Sequence, residues 1–446
     1  MNMNFIRYKR NLWLWMAFLL LTVFAHAQDI QNDNLTINRV WALVDSNSKK
    51  LEMQNINIAA NEAHLKVSKA ERLPEISAGG TYAYVFPLPI YENGLFHTPS
   101  QFPVVSTYYK AGADAYLNIY NGGKTNTEIA ASKVEYELSN VLRNQSRQEI
   151  HYTAAVYFYD VFRNISYKRL LEQDIRDREK QLAEINQLYK NGAILKSDVL
   201  RVELRLSKQK MLLTEIENSI KIASQKLNIL TGGKDDELVN PQISEYETDA
   251  IALKEIDSYF DSAKGSSYKL QISEKEHELA RLKLKNVKSN ILPTLGFFGE
   301  YAFAYPQIQF YPYTLSLYSN GMVGLKLKIP ISSWYTNQHK VKEAQIRLQQ
   351  QEVEDEEVKD NIRQEVQENY IRYRESVQRI NLAEENIKQA SESYRIVQNT
   401  YFNQLSLLTD LLDAETQLLQ SKFELTTAKV NAKMQYYQLQ KAIGNL

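Results

Sequence analysis

Apolar residues recur every three or four positions over two very long stretches of the chain. The first stretch, residues 124–189, contains neither proline nor glycine. Its apolar stripe consists of Leu171, Ile175, Leu182, Ile185 and Leu188. The second, residues 339–401, keeps the same spacing through Tyr373, Val377, Ile380, Ile387, Tyr394 and Tyr401. This spacing is typical of one face of an α-helix, and a helix as long as either stretch is a rod of roughly 100 Å.

A shift of 212 residues superimposes two parts of the sequence. It carries a heptad ladder of five apolar residues in the first half onto five in the second. Val199, Leu206, Leu213, Ile220 and Leu227 fall on Leu411, Leu418, Leu425, Ala432 and Leu439. The same shift places Glu203 on Glu415 and Gly232 on Gly444. The chain is therefore an internal duplication with halves at about 36–232 and 249–444, and its sustained heptads predict coiled-coil packing.

Each half is predicted to form a helix, two strands, a very long helix and a return helix. The first repeat, 28–232, has a helix over 36–72, strands at about 77–90 and 104–119, a long helix over 124–189 and a return helix over 198–230. The second repeat, 249–446, has a helix over 267–290, strands at about 294–305 and 315–330, a long helix over 339–401 and a return helix over 407–442. Residues 233–265 form a linker between them.

The predicted strands alternate between polar and apolar side chains. In 108–119 the polar face holds Lys110, Asp114, Tyr116 and Asn118, and the apolar face holds Ala111, Ala113, Ala115, Leu117 and Ile119. Residues 320–329 follow the same rule, and the partner strands are aromatic. Alternating strands of about ten residues with aromatic flanks are typical of a membrane β-barrel. Alternation alone fits equally well two soluble hairpins packed on a core.

The number of predicted strands constrains how a membrane β-barrel, the first of these two alternatives, could form. Only four strands are predicted, whereas about eight make the smallest barrel whose interior side chains can fill. A barrel in lipid must also close, because open edges leave backbone groups unpaired. Several copies must therefore share one barrel. Two copies give eight strands and three give twelve, and only the larger barrel leaves an open lumen.

The amino terminus carries an export signal. Three basic residues precede an apolar run from Leu12 to Ala25, and Ala25-His26-Ala27 offers small residues for cleavage before Gln28. This predicts a signal peptide at 1–27; an N-terminal membrane anchor is the alternative, although the run is shorter than the roughly 20 residues of a span. The 53 basic and 53 acidic residues balance, which argues against nucleic-acid binding. With no cysteine, disulfides and thiolate metal sites are excluded.

The duplicated order of elements resembles the TolC-type outer-membrane factors. The segment Leu117-Asn118-Ile119-Tyr120-Asn121-Gly122-Gly123-Lys124 is similar to the strand-to-helix motif of that family, and 189–200 and 401–414 are similar to its periplasmic turns. The resemblance implies a homotrimer: a twelve-stranded β-barrel in outer-membrane lipid, above a coiled-coil tunnel that crosses the periplasm. An equatorial belt would come from 233–265. A periplasmic adaptor protein and an inner-membrane transporter would be the partners.

The resemblance also assigns roles at the helix tips. Asp410 and Asp413 match the acidic positions that ring the constriction, and Tyr401 and Asp198 match positions whose hydrogen bond holds the tips shut. Ser406 stands where the family pattern has a basic residue, so this lock is expected to be weaker or differently made. Independently of the resemblance, Asp198 and Asp410 near helix starts also fit plain capping. The expected docking residues for the adaptor are Asn191, Gly192, Asn403 and Gln404.

No pattern for catalysis or cofactor binding is visible in the sequence. The six histidines are scattered, and the Gly-Gly-Lys segments at 122–124 and 232–234 lack the earlier glycine of a phosphate-binding loop. The sequence therefore predicts neither an enzyme, nor a cofactor, nor a metal site. Two hypotheses remain: a passive trimeric channel of an efflux or type I secretion system, and an exported structural or adhesive rod without a pore.

Overall fold

The computed structural model describes residues 35–102, 104–243, 251–308 and 311–446. The predicted signal peptide, 1–27, lies outside the described residues. Within the described ranges the chain is mostly helical, with a small antiparallel sheet. This agrees with the predicted fold class and with its internal duplication.

Two pairs of long antiparallel helices dominate the structure. The first long helix is Lys124–Lys190 and the first return helix is Lys196–Thr231; together they form the first coiled coil. The second long helix is Ser333–Phe402 and the second return helix is Leu408–Ile443; together they form the second coiled coil. The long helices contain 67 and 70 residues, so each is roughly 100 Å long.

Each repeat begins with two short helices rather than one. The predicted helix over 36–72 is in fact Ile37–Asn47 followed by Lys49–Ala70, separated by Ser48 in an extended conformation. The break has a local cause, because Ser46 and Asn47 bond their side chains to the carbonyl of Leu43 and compete with the helical ladder. The single-helix prediction was wrong at this point.

The second repeat contains the same break, which the sequence analysis did not predict. Residues assigned to a linker include the helix Ile256–Ser266, and Ser267 separates it from the helix Tyr268–Lys288. The repeat-equivalent glycines support this correspondence. A Cβ on Gly232 would meet Asn47 at 2.9 Å, and a Cβ on Gly444 would meet the carbonyl oxygen of Ser266 at 2.1 Å. Each glycine lies where its return helix ends against the first short helix of its own repeat.

The four main strands are β1, Glu75–Tyr84, β4, Thr107–Tyr120, β5, Thr294–Tyr305, and β6, Tyr318–Lys328. They form one antiparallel sheet in the order β1-β4-β5-β6. The hairpins of the two repeats therefore join at β4 and β5. Strand β1 is shorter than the predicted 77–90, because Pro87 and Pro89 follow it and proline cannot donate to a strand ladder. Strands β2, Leu88–Ile90, and β3, Ser100–Phe102, form a separate small hairpin.

The sheet has one polar and one apolar face. Asp114 lies opposite Ser77 on one side and Glu300 on the other, so polar side chains share a face across three strands. On the other face, Ala113 pairs with Tyr301, and the exposed side chains include Tyr82, Val323 and Leu325. The alternation predicted from the sequence is thus present in the folded sheet, and its apolar face is open to the surroundings of the chain.

The helices lie side by side in a fixed order. Next to the sheet the order is Lys49–Ala70, the first long helix, Tyr268–Lys288 and the second long helix. Towards the far end the first return helix and the second return helix flank the first long helix, and the second long helix follows. Hydrophobic clusters hold this arrangement at the middle of the helices and at their far ends.

Candidate functional site: the paired helix tips

The two coiled coils end in turns of the same design. In the first, Asn191 follows the long helix and Gly192 adopts φ +72°; in the second, Asn403 and Gln404 take the same places, and Gln404 adopts φ +61°. Backbone bonds close both turns, from Gly192 N–H to the Tyr189 carbonyl at 2.9 Å and from Gln404 N–H to the Tyr401 carbonyl at 2.8 Å. All four predicted docking residues are exposed.

A hydrophobic cluster ties the two tips together from inside. It combines residues of all four long and return helices. Its buried members are Ile185, Val199, Val202, Tyr401, Leu408 and Leu411. Burial of these side chains holds the second tip against the first, so any relative movement of the tips must rearrange this cluster.

The predicted acidic pair lies on an exposed face of the second return helix. Asp410 and Asp413 are exposed, whereas Leu411 and Ala414 beside them are buried. Asp410 also caps its helix, since its carboxylate accepts a hydrogen bond from the Leu407 backbone N–H at 3.2 Å. Capping, which the sequence left as an alternative, is therefore present for Asp410. A ring of acids around an axis stays a prediction for both residues.

The expected bond between Tyr401 and Asp198 is not formed in the structure. The Tyr401 hydroxyl is buried and has no hydrogen-bond partner among the described residues. Burial, and then the nearby negative charge of Asp198, raise the pKa of this tyrosine. Among the described residues, Ser406 bonds within its own tip, where it accepts from Thr400 at 3.2 Å and donates to the Val397 carbonyl at 3.5 Å. Tyr401 and Asp198 are thus neighbours without a direct link.

A buried ionic cluster above the tips was missed by the sequence analysis. Arg178 of the first long helix contacts the carboxylate of Glu415 on the second return helix, and both side chains are almost fully buried. Gln181 donates a second hydrogen bond to Glu415 at 2.7 Å. The only sequence signal was that Glu415 lies four residues after Leu411 and three before Leu418, on the apolar stripe of its helix.

The structure adds two observations on function classes. None of the helices in the described ranges has the length and apolar character of a membrane span. In the part of the chain that the structure describes, no group of three or more His, Asp or Glu side chains is arranged to hold a metal ion.

Comparison with known proteins identifies the family of this duplicated fold. The family model described as "Outer membrane efflux protein" matches residues 42–233 and 260–445, which is most of the chain and both repeats. The chain belongs to the outer membrane efflux protein family. The resemblance inferred from the sequence is thereby confirmed.

Individual relatives of the family agree with this assignment. "Outer membrane protein TolC" of Salmonella enteritidis is 21% identical over 272 residues, which cover 60% of this chain and only 55% of that protein. Among solved structures, CusC has a TM-score of 0.78 at 14% identity, with 93% of each chain covered. The outer membrane protein VceC of Vibrio cholerae has a TM-score of 0.75 at 17% identity, covering 92% of this chain and 96% of that one. At such identities the solved structures establish the shared fold.

Membership of the outer membrane efflux protein family fixes the broad class of this protein. It is an efflux channel protein of the outer membrane that extends into the periplasm, and it is not an enzyme. The two matched segments correspond to the two repeats, so the duplication seen in the heptads is a property of the family fold.

Proposed function

We propose that three copies of this chain form a passive duct that carries solutes out through the outer membrane. An inner-membrane transporter would drive transport, and a periplasmic adaptor would link it to the duct. This would make the duct part of a tripartite efflux or type I secretion system. One observation carries the proposal. The chain has two sides, and on each side the described sheet ends in a strand with an open edge and the helices have an exposed apolar stripe. Each side can therefore pack against the opposite side of another copy.

The sheet has two open edges. Among the described strands, β1 pairs only with β4, and β6 pairs only with β5. An open edge in lipid leaves backbone N–H and C=O groups without partners. Pairing β6 of one copy with β1 of the next satisfies both edges at once and continues the sheet with its apolar face outward.

Near the sheet, each of the two outermost helices carries an exposed apolar stripe. On the helix Lys49–Ala70 the exposed stripe has a strict three–four spacing and consists of Met53, Ile56, Ala60, Ala63 and Val67. On the second long helix the exposed residues Tyr335, Ile346 and Val353 share one face. The two helices lie at opposite ends of the helix order, and both stripes begin close to the sheet. Each stripe therefore suits the other stripe of a neighbouring copy.

The helices near the tips repeat this arrangement. The exposed stripe of the first return helix consists of Leu200, Leu204, Met211, Ile222 and Ile229. The far part of the second long helix exposes Ile371, Leu382 and Ile396 on one face. These spacings keep each set within a narrow sector of its helix. Matching edges along the whole length favour a closed ring of identical copies over a single rod.

The strand count supports three copies. Four strands from each of two copies make eight, which interior side chains fill, whereas twelve leave a lumen. A trimer also brings Asp410 and Asp413 of three copies to one axis, as six carboxylates. Such a ring attracts cations and forms a constriction at the tips. Tyr401 and Asp198 lie beside it, and the gate would open when the tips move apart.

The tips also offer a docking surface for the adaptor. Asn191, Gly192, Asn403 and Gln404 present polar backbone turns, and the equivalent residues Leu195 and Leu407 are 70% exposed. Exposed leucines beside polar turns are suited to a partner with an apolar tip of its own. The adaptor would bind here and pull the tips outward.

Single-channel recording on purified trimer in planar bilayers tests the proposal. We expect small, cation-selective conductance that grows when the tips are loosened. Heat-modifiable migration on gels and recovery in the outer-membrane fraction test the assembly. A detergent-free, monomeric protein without conductance would favour the exported rod instead.

A further inference from the structure

The first and second coiled coils meet along a seam that is partly polar. The first long helix packs against the second return helix, and the first return helix reaches the second return helix through Arg205. Tyr167 contacts Thr427 through their hydroxyls, and Arg205 contacts the hydroxyl of Thr416. Any separation of the two coiled coils at the tips must open this seam.

Glu415 is a buried acid on the seam. It is 6% exposed, although Asp410 and Asp413 in the preceding turns are exposed. Its carboxylate takes one contact from the Arg178 guanidinium and one hydrogen bond from Gln181 at 2.7 Å. Both donors belong to the other coiled coil. Glu415 has therefore exchanged water for groups that it keeps only while the two coiled coils stay together.

Arg178 connects this carboxylate to the rest of the first coiled coil. It is 2% exposed and donates to Asp174, one turn away on its own helix, at 2.9 Å. Gln209 of the first return helix also donates to Asp174. The cluster thus joins three helices, and the Arg178 guanidinium contacts the carboxylates of both Asp174 and Glu415. Opening the seam would leave Arg178 with Asp174 on its own helix, whereas Glu415 would lose both of its partners.

The repeat supplies an internal comparison. Glu203 occupies the position of Glu415 in the first repeat, and it is exposed. An acid at this position is therefore buried only where it faces the other coiled coil. At the tips themselves, the Tyr401 hydroxyl has no partner among the described residues, and Ser406 bonds within its own tip. Among the described residues, the polar contacts between the coiled coils lie above the tips, and Glu415 is the buried acid among them.

We propose that Arg178 and Glu415 form a latch that holds the two coiled coils together in the closed channel and separates when the tips open. This rests on the proposed function as a gated duct. The pair acts at a distance from the constriction, so both are positioning residues. Because a separated buried charge is costly, the latch gives the tips two distinct states rather than a continuous range.

The test is the ratio of open to closed times of single channels formed by full-length trimer. Glu415→Gln removes the charge but keeps a similar shape, and Arg178→Gln does the same for its partner. Each is expected to raise the open-to-closed ratio on the order of tenfold, because the closed state loses its ion pair. The double variant is expected to raise the ratio by less than the product of the two single effects, since both changes disrupt one interaction. Glu415→Asp should restore closure in part, and the matched control Glu203→Gln should behave as the native protein.

A cysteine pair tests the latch without altering it. The native chain has no cysteine, so Tyr167→Cys with Thr427→Cys places one thiol on each side of the seam in every copy. The native side chains meet only through the tyrosine hydroxyl, so a bifunctional thiol linker that contains a cleavable disulfide joins the two cysteines. Linking is expected to hold the channel closed, and reduction of the linker to release it. Openings of the linked channel at the native rate would overturn the latch, because the seam would not need to part.

The two levels of the proposal fail differently. Unchanged ratios in both single variants, with the heat-resistant trimer intact, overturn the latch and leave the duct standing. Additive effects of the two substitutions overturn the pairing. No conductance from the native trimer overturns the duct, and the latch with it.

Discussion

Asp410 closes the first turn of the second return helix by accepting a hydrogen bond from the backbone N–H of Leu407 at 3.2 Å. Asp413, one turn further on, is exposed like Asp410. The two acids therefore share a face of the helix, but the cap comes from Asp410. This difference separates a structural role from a role in the proposed constriction.

Alanine substitutions of the two acids are expected to have different consequences. Asp410→Ala should cost about 1 kcal/mol of stability through loss of the cap, whereas Asp413→Ala should leave stability nearly unchanged. Both should weaken block by multivalent cations, since each removes three carboxylates from a trimer. Thermal dissociation of the trimer and current block in bilayers measure the two effects. Equal destabilisation by both variants would contradict the capping role, and native block in both would remove the acids from the constriction.

The apolar face of the sheet predicts where charge is not tolerated. Val323 lies at the middle of β6 and is 75% exposed on that face. Val323→Lys should cost about 2–4 kcal/mol if this position faces the lipid midplane, and it should reduce the amount of trimer in the outer membrane. Asn320→Lys adds the same charge on the polar face of the same strand and serves as the control. Equal loss of both variants from the membrane would argue against the assigned faces.

The stripe on the helix Lys49–Ala70 predicts where the trimer is sensitive. Ala63→Glu places a carboxylate in the middle of the apolar stripe, and burying it against a neighbour without a partner is unfavourable. We expect loss of the heat-resistant trimer band. Asn55→Glu adds the same side chain to an exposed position away from the stripe and should leave the trimer intact. A trimer unaffected by Ala63→Glu would mean that this face is not the contact between copies.

Local patterns in the sequence predicted much of this fold, and contacts between distant residues account for most of what was missed. The heptads that pair Val199 with Leu411 led to the coiled coils and the duplication, because helical spacing is a local property. The break at Ser48 was missed because side chains that compete for backbone bonds leave only a weak signal. The burial of Glu415 depends on Arg178, which lies 237 residues away in the chain. No local pattern indicates that pairing.

A second cluster, which is only partly buried, docks the helix Ile37–Asn47 on the first long helix. Asp45 accepts hydrogen bonds from Arg147 at 2.5 Å and shares one with His151 at 2.8 Å. The His151 ring stacks on Trp41, whose indole N–H donates to the His151 carbonyl at 3.0 Å. Burial acts to raise the pKa of Asp45, but the bonds from Arg147 and His151 outweigh it and lower that pKa. Burial lowers the pKa of His151, and Asp45 only partly offsets this.

The pKa shifts of Asp45 and His151 both predict that lowering the pH weakens the docking of the helix Ile37–Asn47 on the first long helix. His151 stays neutral in the folded chain at pH values where the unfolded chain already takes up a proton, so stability falls as pH drops below about 6.5. Asp45 keeps its charge when folded, so its contribution is present above its ordinary pKa of about 3.9 and is lost as pH falls through the lower folded value. The protection factors of the backbone amides in the helix Ile37–Asn47, which correct for the slower intrinsic exchange at low pH, should therefore fall between pH 7 and 5, and further near pH 3. His151→Gln should remove the change between pH 7 and 5. Asp45→Asn should cost about 1.5–3 kcal/mol of stability at pH 7 and remove the change near pH 3. His64→Gln, at an exposed position on the helix Lys49–Ala70, should leave the profile native. A profile that is flat in the native protein, or unchanged by His151→Gln, would contradict this account of the cluster.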